Sequence, residues 1–206
     1  MSGKVDKLIE DLKKVVGQDY VLSEQADLMV YEYDGSVDKA FPVLVVLPSD
    51  TKEVSEVVKL AREHDLPIVA RGAGTGLSGG AVAEKGGIVI AMSRLNRILE
   101  VDETNRIAVV EPGVVNLDLS LHTGPMGLYY APDPSSQRAC TIGGNIAENS
   151  GGPHCLAYGV TTNHVVGMEV VLADGSITWF GGKGRDYPGN DLRGITIGSE
   201  GTLAIA

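Results

Sequence analysis

The run from Pro67 to Val82, PIVARGAGTGLSGGAV, carries the spacing G-x-G-x-x-G between Gly74 and Gly79. Glycines at such spacing let the backbone turn tightly and approach a ligand closely, so that successive N–H groups converge on an anion. A dinucleotide site of the Rossmann kind needs a helix directly behind the glycines, whose N-terminus holds the pyrophosphate. Here Gly80 to Gly87 is too short and glycine-bound for a helix, and Ile88-Val89-Ile90-Ala91 reads as another strand. A Walker A loop is excluded because no Lys-Ser or Lys-Thr follows the glycines. What remains is a strand-to-strand loop whose amides suit an anion, with Arg71 at its base as an available cation.

A second concentration of turn-forming residues runs from Ala131 to Gly152, APDPSSQRACTIGGNIAENSGG. Rigid prolines, paired glycines and small hydrogen-bonding side chains, without an amphipathic period, predict a segment that builds little core. Two glycine-rich cradles suit one long ligand, with phosphates in one and a polar ring system near the other. Two unrelated turn regions are the alternative reading. The chain has 27 glycines, about twice the average share, and a third cluster lies between Gly181 and Gly201.

Other reactive side chains are sparse. His64 and His122 end predicted helices, where a cation is favoured and surface placement is the simplest role. His154 falls inside the second glycine cluster, where facing a ligand is a second reading beside a structural role; His164 precedes a strand and reads as structural. No H-E-x-x-H or comparable spacing occurs, so no metal site is expected. Cys140 and Cys155 stand apart rather than in C-x-x-C pairs, which points to reduced, packed thiols instead of zinc or disulfide chemistry.

The elements that must position these residues are visible in the hydrophobic pattern. Val5, Leu8, Ile9, Leu12, Val15 and Val16 predict a helix over about 4–16, stopped by Gly17. Val43 to Leu47 is a continuous apolar run suited to a covered strand. Asp50 and Glu53 then resemble a capping arrangement for a helix burying Val54, Val57, Val58 and Ala61, and Pro67 to Ala70 is the next strand. This order predicts a βαβ unit with a parallel pair. Further on, Arg106 to Val110 reads as a strand, Pro112-Gly113 as a turn, and Asn116 as the cap of a short helix through His122. Asp174-Gly175, between Val165–Leu172 and Ser176–Phe180, is a strong hairpin signal. The second half is therefore expected to be antiparallel.

With 206 residues, 43% of them hydrophobic, the chain can bury a substantial core. A net charge of -10 and a pI near 4.8 argue against nucleic acid or anionic lipid as partner. No apolar run has the length of a membrane span, and the first residues open an amphipathic helix rather than a signal peptide. A soluble, reducing, cytoplasmic setting is expected, peripheral to a membrane only where a partner holds it there.

Five ordered motifs together resemble a known family. They are Arg71 to Gly80, Pro132-Asp133-Pro134-Ser135, Cys140 to Asn145, Tyr158-Gly159-Val160 and Gly198-Ser199-Glu200-Gly201-Thr202-Leu203. The chain resembles the FAD-linked oxidases of the vanillyl-alcohol oxidase and p-cresol methylhydroxylase type, most of all the branch of the glycolate oxidase FAD subunit and D-lactate dehydrogenase. The resemblance implies an α+β, two-lobed PCMH-type FAD-binding domain over 41–206, following an N-terminal helical extension over 1–40. Its smaller lobe would hold the parallel βαβ unit and its larger lobe an antiparallel sheet with helices, with FAD between them.

The resemblance also implies roles. Gly72, Ala73, Gly74, Thr75, Gly76, Gly79, Gly80 and Ala81 would wrap the pyrophosphate through backbone N–H groups, with Arg71 counted among the cofactor-binding residues as the cation at the base of the loop. Pro132, Asp133, Ser135, Thr141, Gly143, Gly144, Asn145 and Asn149 would line the flavin and ribityl portion, and Tyr158, Gly159, Glu200 and Ile205 would add further contacts. Some relatives attach FAD through a histidine in the first loop; Thr75 stands there in this sequence, implying noncovalent binding. The implied reaction is oxidation of a 2-hydroxy acid to a 2-oxo acid, with electrons passed on to a separate acceptor or partner subunit. No catalytic set is apparent, and Gly201 to Ala206 reads as the middle of a strand. The expectation is therefore the FAD-binding portion of a longer enzyme, whose cap domain would carry the remaining groups. A flavin-binding module or electron-transfer subunit that needs a partner chain is the alternative.

Overall fold

A computed structural model of the chain describes residues 2–184 and 189–206. It divides into two compact units, residues 1–94 with 171–177, and residues 95–170 with 178–206.

The first unit opens with helix α1 (Ser2–Val16), which buries Leu8, Leu12 and Val16 on one stripe. Gly17 ends it at φ 98°. A two-residue strand β1 (Val21–Leu22) and a single helical turn α2 (Gln25–Leu28) follow. Strand β2 (Leu44–Val46) leads into α3 (Thr51–Glu63), then β3 (Ile68–Arg71) and β4 (Ile88–Ala91). The start of α3 is fixed at both sides: Asp50 Oδ1 accepts the Glu53 amide at 2.8 Å, and Glu53 Oε2 accepts the Ser49 amide at 2.6 Å. The helix buries Val54, Val57, Val58 and Ala61, the stripe that the 3.6-residue period predicts.

The four strands lie in the order β1-β2-β4-β3. Strand β4 pairs in parallel with β2, Val45 opposite Val89, and in parallel with β3, Val69 opposite Val89; β1 pairs antiparallel at the edge. The expected direct parallel pair of β2 and β3 is thus corrected: β4 enters between them. Its four residues are all buried, and a strand that is apolar on both faces gains most from the central position. Val45, Val89 and Ala91 face one cluster with Leu28 and Ala83, while Leu44, Val46, Ile88 and Ile90 are buried on the other face. Residues 171–177 complete this unit, with the Ser55 hydroxyl donating to the Gly175 carbonyl at 2.5 Å.

The second unit contains the antiparallel pair β5 (Ile98–Asp102) and β6 (Ile107–Val110), of which the sequence pattern shows only the latter. Helices α4 (Asn116–Thr123), α5 (Ile142–Glu148) and α6 (Cys155–Tyr158) follow. Strands β7 (Gly167–Val171) and β8 (Ile177–Gly181) form the hairpin expected around Asp174-Gly175, and α7 (Leu192–Thr196) comes last. The Asp174 carboxylate accepts the Ser176 amide at 2.8 Å, a local turn bond.

Two expectations change here. Val115, not Asn116, is the residue before α4, and Asn116 is the first helical residue with its side chain turned inward. The Ala131–Gly152 segment does build core: Cys140, Thr141, Ile142, Asn145 and Ile146 are buried, and α5 lies within it. Thr141 Oγ1 accepts the Gly144 amide at 3.3 Å and caps that helix.

Candidate functional site

The first cradle is the loop between β3 and β4. From Gly72 to Gly80 the chain is a succession of bends without helix. Among the described residues, none of the backbone amides from Ala73 to Gly80 donates to an acceptor in the chain. Backbone donors left in such numbers beside one another need water or a ligand. Gly74 has φ 66°, and a β-carbon there would overlap the Arg71 guanidinium, 2.6 Å from Cζ. Glycine is required at Gly74 for both reasons.

Arg71, the last residue of β3, is buried. Its Nη1 donates to the Tyr33 carbonyl at 2.7 Å and to the Ala81 carbonyl at 3.3 Å, and its Cζ lies 5.6 Å from the Tyr31 ring centre. Burial lowers its pKa, while Asp34, Tyr31 and Tyr33 work in the opposite direction; a guanidinium stays cationic regardless. Asp34, also buried, accepts the Ser36 amide at 2.7 Å and the Ala81 amide at 3.3 Å. Burial pushes its carboxyl upward, but the Ser36 and Ala81 bonds and the Arg71 charge outweigh this and hold it below the usual carboxylate range. The Ala81 amide is therefore already engaged. The structure brings Arg71, Gly74 and Ala81 together, and adds Tyr33 and Asp34, which lie in a stretch that reads in the sequence only as a polar, Asp-rich connection. The Asp-Gly-Ser turn at Asp34-Gly35-Ser36 is the local signal for them.

The second cradle lies within the other unit. Asn116 Nδ2 donates to the Pro132 carbonyl at 2.9 Å and to Asn145 Oδ1 at 2.8 Å, and Asn145 Nδ2 reaches Cys140 Sγ at 3.3 Å. Pro132 and Asn145 are thereby joined through one buried amide, and Thr141, Gly143 and Gly144 lie at the start of the helix that carries Asn145. The first amides of α5 are spent inside the protein, Ile142 on Val114 and Gly143 on Pro112. Asp133 lies against Gly152, where a β-carbon would overlap the Asp133 carbonyl. Its Oδ2 meets His154 Nδ1 at 2.5 Å and its Oδ1 accepts the His154 amide at 3.3 Å. Burial raises the Asp133 pKa and the bonds to His154 lower it, with a net lowering.

Asn149 closes α5 at φ 49°, and its Oδ1 accepts the Thr162 amide and hydroxyl at 3.0 and 2.8 Å. The Glu200 amide donates to the Ala147 carbonyl at 2.9 Å, so the Gly198–Gly201 motif is stitched to the same helix end. Tyr158 is exposed and meets Tyr129 edge-on at 6.3 Å. Gly159 follows it at φ 83°. Ser135 is exposed and Ile205 half-buried, and neither has a side-chain bond to the rest of the cluster. Cys140 and Cys155 are both free, Cys155 Sγ accepting the Gly152 amide at 2.9 Å. His164 Nε2 lies 3.0 Å from the Tyr158 carbonyl. Among the described residues no three His, Cys, Asp or Glu side chains are grouped to hold a metal, and no helix is long and apolar enough to cross a membrane.

Comparison with known proteins identifies the ligand class. Residues 42–181 match the family model described as FAD binding domain. The chain is 46% identical over 198 residues to glycolate oxidase subunit GlcD of Bacillus subtilis, covering 95% of this chain and 42% of that protein. It is 36% identical over 201 residues to D-lactate dehydrogenase of Anaerostipes hadrus, covering 97% and 42% respectively. The solved structure of p-cresol methylhydroxylase with substrate bound superposes with TM-score 0.81 at 25% identity, over 96% of this chain and 41% of that one. The chain thus spans about two fifths of the length of the curated relatives it matches. The glycine loop without a following helix, the mixed parallel and antiparallel α+β fold and these matches agree: the chain belongs to the FAD binding domain family, with the fold of p-cresol methylhydroxylase and FAD as its cofactor.

Proposed function

We propose that this chain is the cofactor-binding portion of a flavin-dependent oxidoreductase that oxidises a D-2-hydroxy acid, of the glycolate or D-lactate kind, to the 2-oxo acid. The observation that carries it is the run of undonated amides from Ala73 to Gly80, in a chain so similar to a glycolate oxidase subunit. Such a nest fits a diphosphate, because the donors are backbone groups and Gly74 admits no side chain. When bound, the flavin ring supplies the chemistry by accepting a hydride from the substrate carbon.

The chain's own residues bind and orient. Gly72 to Gly76 with Gly79 and Gly80 hold the diphosphate, with Arg71 and Ala81 fixing the loop. Pro132, Asp133, Ser135, Thr141, Gly143, Gly144, Asn145 and Asn149 contact the flavin and ribityl portion, and Tyr158, Gly159, Glu200 and Ile205 complete the contacts. Thr75 stands where some relatives carry the histidine that links FAD, which supports noncovalent attachment. Residues 41–206 form the FAD-binding domain behind a helical extension over 1–40. Electrons leave to a separate acceptor or partner subunit, in the cytoplasm.

A visible absorption spectrum of the purified chain tests the cofactor: flavin bands are expected, lost in Gly74→Val and Gly76→Val. Retention of NAD without flavin absorbance would overturn the reading. For the substrate, anaerobic addition of D-lactate or glycolate to the full-length protein should bleach the flavin; bleaching by neither removes the hydroxy-acid assignment.

A further inference from the structure

The sequence suggests Arg71 as a cation for the diphosphate; in the structure its Nη1 is turned to protein carbonyls while Nη2 lies beside Gly74. Nη1 is spent on two carbonyls, Tyr33 at 2.7 Å in a distant segment and Ala81 at 3.3 Å at the end of the loop. The guanidinium fills the space where Gly74 lacks a side chain. Gly35 approaches the loop from the same segment as Tyr33: a β-carbon there would lie 2.7 Å from the Gly76 carbonyl and 2.9 Å from the Thr75 carbonyl. Asp34 holds Ala81 by its amide while Arg71 holds Ala81 by its carbonyl. Residues 33–35 lie outside the 42–181 span of the family match, and still reach the loop, Gly35 at Thr75-Gly76 and Asp34 at Ala81, while Tyr33 holds Arg71.

A charge argument gives the pair its logic. A buried carboxylate beside amides meant for an anion repels that anion unless a cation balances it. Arg71, held at the carbonyls of Tyr33 and of the same Ala81 whose amide Asp34 accepts, adds positive charge beside that carboxylate. We propose that Arg71 and Asp34 are positioning residues that pre-form the diphosphate loop before the cofactor arrives, Arg71 bracing the loop through Nη1 and masking the Asp34 charge. This rests on the FAD assignment for the loop. Pre-organisation of this kind raises affinity by removing the ordering cost from the binding step.

The test compares Arg71→Met, Arg71→Lys, Asp34→Asn and the double variant Arg71→Met with Asp34→Asn, each checked for folding by far-UV circular dichroism and thermal melting. Two quantities are read: hydrogen exchange of the bonded Ala81 and Val82 amides at the end of the loop in FAD-free protein, and FAD affinity by fluorescence titration of the same protein. Loss of buried charge-assisted bonds should speed exchange and weaken FAD about tenfold or more in both Arg71 variants, because lysine cannot reach two carbonyls in one plane. Asp34→Asn should recover part of the affinity that Arg71→Met loses. If Arg71→Met does not fold, Arg71→Lys and Asp34→Asn decide the question by the same two measurements.

Near-unchanged exchange with weaker FAD binding in Arg71→Met, and near-normal affinity in Arg71→Lys, would assign Arg71 to direct phosphate pairing and overturn the proposal. Faster exchange with unchanged FAD affinity would overturn it as well. In that case Gly76→Val separates the two levels: if that variant also keeps FAD, the loop is not the diphosphate site; if it loses FAD, only the bracing role fails.

Discussion

The Asn116 side-chain amide lies 2.8 Å from Asn145 Oδ1 and simultaneously serves the Pro132 carbonyl, with both asparagines almost wholly buried. One carboxamide thereby ties α4, α5 and the prolines that open the second cradle. Asn116→Ala would leave two buried acceptors without donors. The expected loss is about 2–3 kcal/mol in urea unfolding, with the m value unchanged. Asn116→Asp should lose at least as much, since an ionised carboxylate has nothing to donate. A loss in both variants below about 0.5 kcal/mol would show that the network carries little of the stability.

Glu111 makes the second unit sensitive to acid. Its carboxylate is nearly buried and accepts the Arg97 amide at 2.7 Å, Nε at 3.0 Å and Nη2 at 2.6 Å. Burial raises its pKa, and the Arg97 bonds and charge more than reverse this, leaving it below the ordinary 4.5. A lowered folded pKa means stability present above the unfolded value and lost as pH falls through the folded one. Melting temperature should therefore drop more steeply below pH 4.5 in the parent than in Glu111→Gln, and the difference between the two should shrink as the pH falls. Parallel curves across the neutral-to-acid range would refute this.

Tyr130 offers the opposite case. Its hydroxyl is buried with no well-formed hydrogen bond among the described residues, and the neighbouring Thr161 hydroxyl is given to the Ser150 carbonyl at 2.8 Å. Burial pushes the phenol up to about 12. Absorbance titration in the near ultraviolet should show one tyrosine ionising well after the exposed ones, and Tyr130→Phe should remove that late step. Because no bond is lost, Tyr130→Phe is expected to change stability by less than about 1 kcal/mol, in either direction. Early ionisation of every phenol in the folded protein would contradict the burial.

Gly152 and Asp133 are coupled by contact. A methyl group at 152 would overlap the Asp133 carbonyl and sit 2.5 Å from Oδ1. Gly152→Ala should cost about 1–3 kcal/mol by overpacking. It should also displace the carboxylate from His154, so its effect and that of Asp133→Asn should be non-additive in a double-mutant cycle. Simple additivity would separate the two.

The elements legible in the sequence are those whose signal is local. Helices α1 and α3 show their buried stripes in residue spacing, and β2, β3 and β4 are short apolar runs between turn residues. The order of those strands is not local, since insertion of β4 between β2 and β3 depends on which strand is apolar on both faces. Helix α5 is masked by Gly143-Gly144, which interrupts its period although Thr141 caps it. Strand β5 is masked by exposure, with Leu99 and Glu100 on the surface. In the first cradle the glycine loop is readable because its letters and its geometry coincide. The partners of Arg71 are not, because Tyr33 and Asp34 lie nearly forty residues away in the chain.

The hairpin bend at 171–177 has a consequence for how the molecule comes into being. It belongs to the first unit, where Gly175 receives the Ser55 hydroxyl, although it follows residues 95–170 in the chain. During synthesis the first unit therefore cannot finish assembling until residue 177 has left the ribosome, by which time residues 95–170 of the second have already been made. A gene cut after residue 94 would yield a piece whose α3 lacks the acceptor for Ser55.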